Sequence, residues 1–243
     1  MLQQFGKYLL FMKSLVTRGE SIKIILNRTL DEAILIGTNS VFIVALVSTF
    51  IGAVSTVQVS YNMVNALIPR STIGFIVREM VILELAPTIT SIVLAGKVGS
   101  SIAGGLGTMK ISEQVDALEV MGVNSVSYLV LPKILASLLV FPMLVIIAMF
   151  LGLLGGYIAG TVTGELTAQE YISGIRIDFI PYNVVFALIK SVIFSFLISS
   201  ISSFRGYYTS GGALEVGAAS TTAVTHSVIA VLVADFISAQ LLL

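Results

Sequence analysis

Five apolar runs, each longer than the roughly 20 residues that cross a hydrocarbon layer, account for most of this chain. They cover about residues 33–59, 73–106, 128–162, 182–204 and 221–243, and turn-rich or charged links separate them. The reading that fits is an all-α polytopic membrane protein with five transmembrane helices. Charged residues make up 11% of the 243, against about a quarter in soluble domains. Mean hydropathy is +1.03. Composition also closes several functional routes. Without cysteine there is no disulfide framework and no thiolate site, and one histidine, His226, cannot build a histidine metal cluster. The zero formal net charge gives no reason to expect a nucleic-acid partner.

The first 32 residues carry Lys7, Lys13, Arg18, Lys23 and Arg28 interleaved with apolar residues, a pattern that predicts an interfacial amphipathic segment on an anionic membrane face. The five-span region then occupies 33–243. Basic residues set the orientation. An N-terminus inside places those five, with Lys110, Lys133 and Arg205, on the inner side; Arg70, Arg78 and Arg176 fall outside. Residues 107–127 and 205–220 are then cytoplasmic, and residues 163–181 and the C-terminus lie outside.

Between the second and third runs, residues 104–122 read GGLGTMKISEQVDALEVMG. The glycines at 104, 105 and 107 are expected to loosen the end of the second span. Ser112 stands where an N-cap belongs, Glu113 suits the positive end of a helix, and Gly122 closes it, giving a short helix over about 112–121. Glu113, Asp116 and Glu119 recur every three residues, as do Val115, Leu118 and Met121 on another face. A solvated connector is one reading. A helix that seats in a groove on a soluble partner is the other.

Ionisable groups inside spans cost about 2.5–3.5 kcal/mol each, so they face protein or water. Four are candidates for a substrate cavity: Glu84, Lys97, Lys190 and Asp235. Glu84 and Lys97 stand 13 residues apart, roughly 20 Å along a helix, and cannot meet. Lys190 matches Glu84 in depth. The pair either lines a cavity for a lipid headgroup or pins two helices together. Asp235 and His226 are expected to serve packing and hydrogen bonding in the bundle. Pro87 and Pro142 are candidate kink sites, and the small residues Gly152, Gly155, Gly156 and Gly160 permit close helix contact within a subunit or between copies. No Walker A sequence, nucleophile elbow or His-Glu-x-x-His is present, so the chain is expected to be no enzyme, to hold no cofactor or metal, and to depend on another chain for any ATP.

Taken together, Glu84-Leu85-Ala86-Pro87, Ala95-Gly96-Lys97-Val98-Gly99-Ser100, Gly107-Thr108-Met109 and Glu113-Gln114-Val115-Asp116-Ala117-Leu118-Glu119-Val120-Met121-Gly122 resemble the MlaE-type permeases of MCE-associated ABC lipid transporters. The likeness continues through Leu131-Pro132-Lys133, Leu154-Gly155-Gly156, Ile189-Lys190-Ser191, Phe204-Arg205-Gly206-Tyr207 and Thr225-His226-Ser227. Two positions depart from the family pattern: Leu83 stands where a basic residue is common, and Lys97 replaces arginine, keeping the charge and losing the planar fork. The resemblance implies a homodimer in a bacterial inner membrane, with a periplasmic C-terminus, that moves phospholipid. Two cytoplasmic ABC ATPase subunits would bind ATP and Mg, with a periplasmic MCE-domain protein and a STAS-domain subunit as further partners. It makes 112–121 a coupling helix, with Ser112, Glu113, Asp116, Leu118, Glu119 and Met121 as the ATPase contact. Two other functions stay open on the residues alone. An ion-coupled secondary transporter is one, although no internal repeat is visible; a membrane anchor for a cytoplasmic partner is the other.

Overall fold

The computed structural model describes residues 2–16, 21–63 and 69–242. Among these residues there are eight helices and no strand: α1 (Leu2–Val16), α2 (Ile22–Asn62), α3 (Ser71–Ile111), α4 (Gln114–Val120), α5 (Ser125–Val162), α6 (Ala168–Arg176), α7 (Pro181–Tyr207) and α8 (Ala213–Leu242). Helices α2, α3, α5, α7 and α8 are long and apolar enough to cross a membrane. The protein is a multi-pass membrane protein, as the apolar runs predict.

Two expected boundaries move. The amphipathic segment does not end at residue 32: α2 begins at Ile22 and runs unbroken into the first span, because no Gly or Pro interrupts residues 21–36. Lys23 and Arg28 thus ride on the first turns of that span. Arg28 lies 3.7 Å over the Tyr128 ring and donates to its hydroxyl at 2.5 Å. Only α1 lies apart, with Phe11 buried against Phe204, Tyr207 and Tyr208, and the Tyr8 hydroxyl donating to Ser200 Oγ at 2.8 Å. Arg18 of the expected amphipathic segment lies outside the described residues. At the other end of the chain, α8 starts at residue 213, which shortens the link after α7 to 208–212.

The glycines at 104, 105 and 107 do not loosen α3, which stays helical to Ile111. At Gly104 and Gly107 the role is proximity. A Cβ on Gly107 would stand 3.1 Å from Val216, and one on Gly104 3.2 Å from the Ser220 hydroxyl, so α8 can lie close. The irregularity in α3 comes earlier, in π-helical stretches at Val81–Ile89 and Ala95–Gly99. Pro87 lies in the first, where the wider winding accommodates a residue with no N–H to donate. Pro142 sits inside continuous α5.

Helices α2 and α5 cross along a seam of small residues. A Cβ on Gly52 would fall 1.8 Å from the Gly152 carbonyl oxygen, and one on Gly155 2.1 Å from that of Thr49. The glycine spacing in the third span is therefore spent inside the subunit. Helix α6 lies across the end of α3, where a Cβ on Gly174 would come within 2.1 Å of the Ser71 carbonyl. Thr167 and Glu170 form a capping box at its start. The Thr167 backbone N–H, and then its hydroxyl, hold the Glu170 carboxyl below its usual range. Tyr171 on α6 is fully buried, and burial pushes its hydroxyl up to about 12.

Candidate functional site

Inside the bundle, α7 presents Lys190 with no exposed side-chain surface. The sequence around it is serine-rich, and Ser191, Ser195 and Ser199 turn their hydroxyls back onto carbonyls three or four residues earlier, so the face is polar without free donors. The ammonium donates to the Leu83 carbonyl oxygen at 3.0 Å and to Glu84 Oε1 at 3.1 Å, both within the first π-helical stretch of α3. Asp235 Oδ1, from α8, stands 2.5 Å from the same nitrogen in a charge contact without an aligned hydrogen bond. Phe186, one turn earlier on α7, lies 5.1 Å away at its ring centre. One buried cation is thus shared by two carboxylates from two other helices. Asp235 is 17% exposed but Glu84 46%, so the cluster has one outward carboxylate and one negative charge in excess. A site of that kind can hold a polar or cationic group against an apolar wall, and it moves if α7 moves.

The depth match between Glu84 and Lys190 could be read from the sequence. Asp235, a cavity candidate also expected to serve packing and hydrogen bonding, joins them. Lys97 does not: it lies on the far half of α3 beside α2, and its ammonium donates to the Asn39 carbonyl oxygen. The four candidate residues form one triad and one separate lysine. His226 receives Arg205 Nη2 on its Nδ1 at 2.7 Å, a contact between α7 and α8.

At the end of the molecule that carries α1, helix α4 stands between α3 and α5. Ser112 is not its N-cap. Its hydroxyl reaches back to the Thr108 carbonyl at 2.8 Å, closing α3, because Glu113 takes the left-handed conformation (φ 60°) that reverses the chain before α4 begins at Gln114. The C-terminal expectation fits. Gly122 (φ 79°) donates to the Glu119 carbonyl and Val123 to that of Leu118, the paired bonds of a Schellman closure. The two faces differ from the three-residue repeat. Val115 is buried and Leu118 partly so, while Met121 is 69% exposed and Val120 89%. Asp116 pairs with Lys110 at 2.5 Å. Glu119 is exposed yet reaches back to the bundle: Oε1 accepts from Ser125 Oγ at 2.8 Å and from the Tyr207 hydroxyl at 2.9 Å, tying α4 to the start of α5 and the end of α7. The outward surface is Glu113, Gln114, Asp116, Ala117, Glu119, Val120 and Met121.

A family model described as Permease MlaE matches residues 29–241. The chain belongs to the MlaE permease family. It is 34% identical over 239 residues to a probable ABC transporter permease protein of Rickettsia bellii, covering 98% of this chain and 92% of that one. A probable ABC transporter permease protein of Synechocystis is 32% identical over 208 residues, 86% of this chain and 79% of the other. The chloroplastic protein TRIGALACTOSYLDIACYLGLYCEROL 1 of Arabidopsis thaliana is 35% identical over 215 residues, 88% of this chain and 61% of that protein. This MlaE-family protein is thus an ABC transporter permease subunit.

One residue of this permease does more than its place among the outer basic residues indicates. Arg78, 1% exposed, donates to the carbonyls of Ile175 at 2.7 Å and Ile177 at 2.6 Å, neutralising the open end of α6. Glu79 binds it at 2.5 Å and receives Asn183 Nδ2 on its other oxygen at 2.7 Å. An arginine at the edge of an apolar run, followed by a glutamate, was the available signal. Nothing in the spacing shows that its partners are backbone carbonyls about a hundred residues away.

Proposed function

We propose that this permease moves phospholipid between the inner membrane and the cell envelope, in support of outer-membrane lipid homeostasis, powered by ABC ATPase subunits that bind ATP and Mg. The observation that carries the reading is Glu84: a carboxylate within an apolar span, bonded to a buried lysine yet 46% exposed. Such a group is costly against acyl chains and favourable against a headgroup in a cavity. The Arabidopsis relative bears the name of a glycolipid, which supports a lipid cargo. In this reading two copies of the chain enclose the cavity. The N-terminus is cytoplasmic and the C-terminus periplasmic, where an MCE-domain protein receives the lipid; a STAS-domain subunit joins on the cytoplasmic side.

Helix α4 couples the two ends. The ATPase docks on Glu113, Asp116, Val120 and Met121, while Glu119 links that surface to the bundle, since its carboxylate holds both Ser125 and Tyr207. A push on α4 passes through Tyr207 into α7. Lys190 lies 17 residues up that helix, and its bonds to Glu84 and Asp235 shift with it.

The test is reconstitution with the ATPase subunits, reading fluorescent phospholipid transfer, ATPase retention and folded yield. Glu84→Gln is expected to cut transfer about tenfold, the worth of one charge-assisted hydrogen bond, with yield unchanged. Glu113→Lys with Met121→Glu is expected to shed the ATPase from folded permease. Loss of folded protein in Glu84→Gln would make the triad a structural pin and sink the headgroup reading.

A further inference from the structure

A cavity of about 210 Å³ opens between α2, α3 and α5, on the other half of the bundle from the ion triad. Its polar lining is Glu32, Asn39, Ser40, Lys97, Ser101 and Lys133. Glu32 pairs with Lys133. Lys97 has no carboxylate in ion-pair contact among the described residues and reaches only the Asn39 carbonyl, so the pocket holds one positive charge in excess. Ser40 is 1% exposed and its hydroxyl has no hydrogen-bond partner among the described residues, although it borders the cavity. A buried hydroxyl left this way is an unspent donor.

Depth identifies what lies beside it. Helices α2 and α3, 41 residues each, are about 60 Å long and overrun a ~30 Å hydrocarbon layer by about 15 Å at each end. Glu32, ten residues into α2, and Lys133, eight into α5, then stand near the headgroup level on the α4 side. Apolar side chains face outward along the same stretch of α2, with Leu35 54% and Phe42 76% exposed. The volume is some seven times a water molecule's ~30 Å³, enough for a phosphodiester with part of its glycerol, and the chains would lie outside along α2.

We infer that this cavity binds the phosphate of an anionic glycerophospholipid from the leaflet on the α4 side. Lys97 and Lys133 meet the phosphate oxygens, and Ser40 donates from below. The site is separate from the triad and stands whether or not the triad handles cargo.

Native mass spectrometry of the detergent-purified protein, supplied with phosphatidylglycerol or phosphatidylcholine of identical acyl chains, tests it. Wild type is expected to retain phosphatidylglycerol preferentially, and Lys97→Gln to lose that preference by about tenfold. Ser40→Ala removes a hydroxyl with no partner among the described residues, so folding is unaffected while retention falls. Equal retention of both lipids by wild type and Lys97→Gln overturns the proposal. Displacement of the lipid by millimolar inorganic phosphate, dependent on Lys97, overturns the lipid assignment in favour of a soluble anion. A Lys97→Cys variant that cross-links between two copies shows the pocket covered by a second chain, and also overturns it.

Discussion

A lysine with no exposed surface inside an apolar helix persists only where opposite charge meets it, because the ammonium cannot otherwise leave water. Lys190 has that company from two directions, and the arrangement predicts an asymmetry among substitutions. Lys190→Met strands Glu84 and Asp235 together and is expected to cost about 3 kcal/mol, at the low end of a broken buried pair because Glu84 keeps part of its exposure. Thermal unfolding in detergent reads it. Adding Glu84→Gln and Asp235→Asn to Lys190→Met is expected to recover most of that loss, since neutral side chains then replace the unpaired charges. How much of this was legible in the sequence follows from what a linear pattern encodes. Position along a span gives depth, and depth brought Glu84 to Lys190. The direction a side chain faces around its helix depends on the neighbours, so the pairing of Asp235 with Lys190 and the separation of Lys97 from both were not legible.

Helices in an apolar solvent gain little from hiding apolar surface, so close approach and satisfied polar groups hold them together. The seam between α2 and α5 shows the first of these. Gly52→Ala or Gly155→Ala places a methyl within 1.8 or 2.1 Å of a backbone oxygen, and each is expected to destabilise by about 1–3 kcal/mol or more. Gly96→Ala and Gly105→Ala, where no atom lies within 4 Å, are the controls and are expected to be neutral in the same unfolding measurement. The Arg78 clamp shows the second, holding α6 to α3 and α7 through carbonyls and Glu79. At this scale the five spans and the Gly122 closure were readable because length, hydropathy and a C-terminal glycine are local signals. The Ser112 cap was misplaced for a tertiary reason: Val115 must be buried, and the chain reaches that position by a left-handed turn at Glu113 rather than by an ordinary cap.

The whole molecule has two unlike ends, one carrying α1 and α4 and the other α6. The chain contains no cysteine, so single reporters can be placed cleanly at exposed Ser112 and Ser173. If the α4 end is cytoplasmic, Ser173→Cys is expected to react with a membrane-impermeant maleimide in intact spheroplasts, and Ser112→Cys only after permeabilisation. The reverse pattern inverts the orientation and the leaflet assigned to the Lys97 cavity. That cavity and the ion triad are related through α3, whose π-helical stretches at Val81–Ile89 and Ala95–Gly99 contain Glu84 and Lys97 themselves. A π-turn accommodates an additional residue without breaking the rod, and one residue is about 100° of rotation in an α-helix. These stretches therefore work as phase shifters: they set the compass bearing of Glu84 toward α7 and of Lys97 toward α2. Removing a single residue from either would leave a helix of the same hydropathy, still spanning the membrane, with one of its charges aimed at the wrong neighbour.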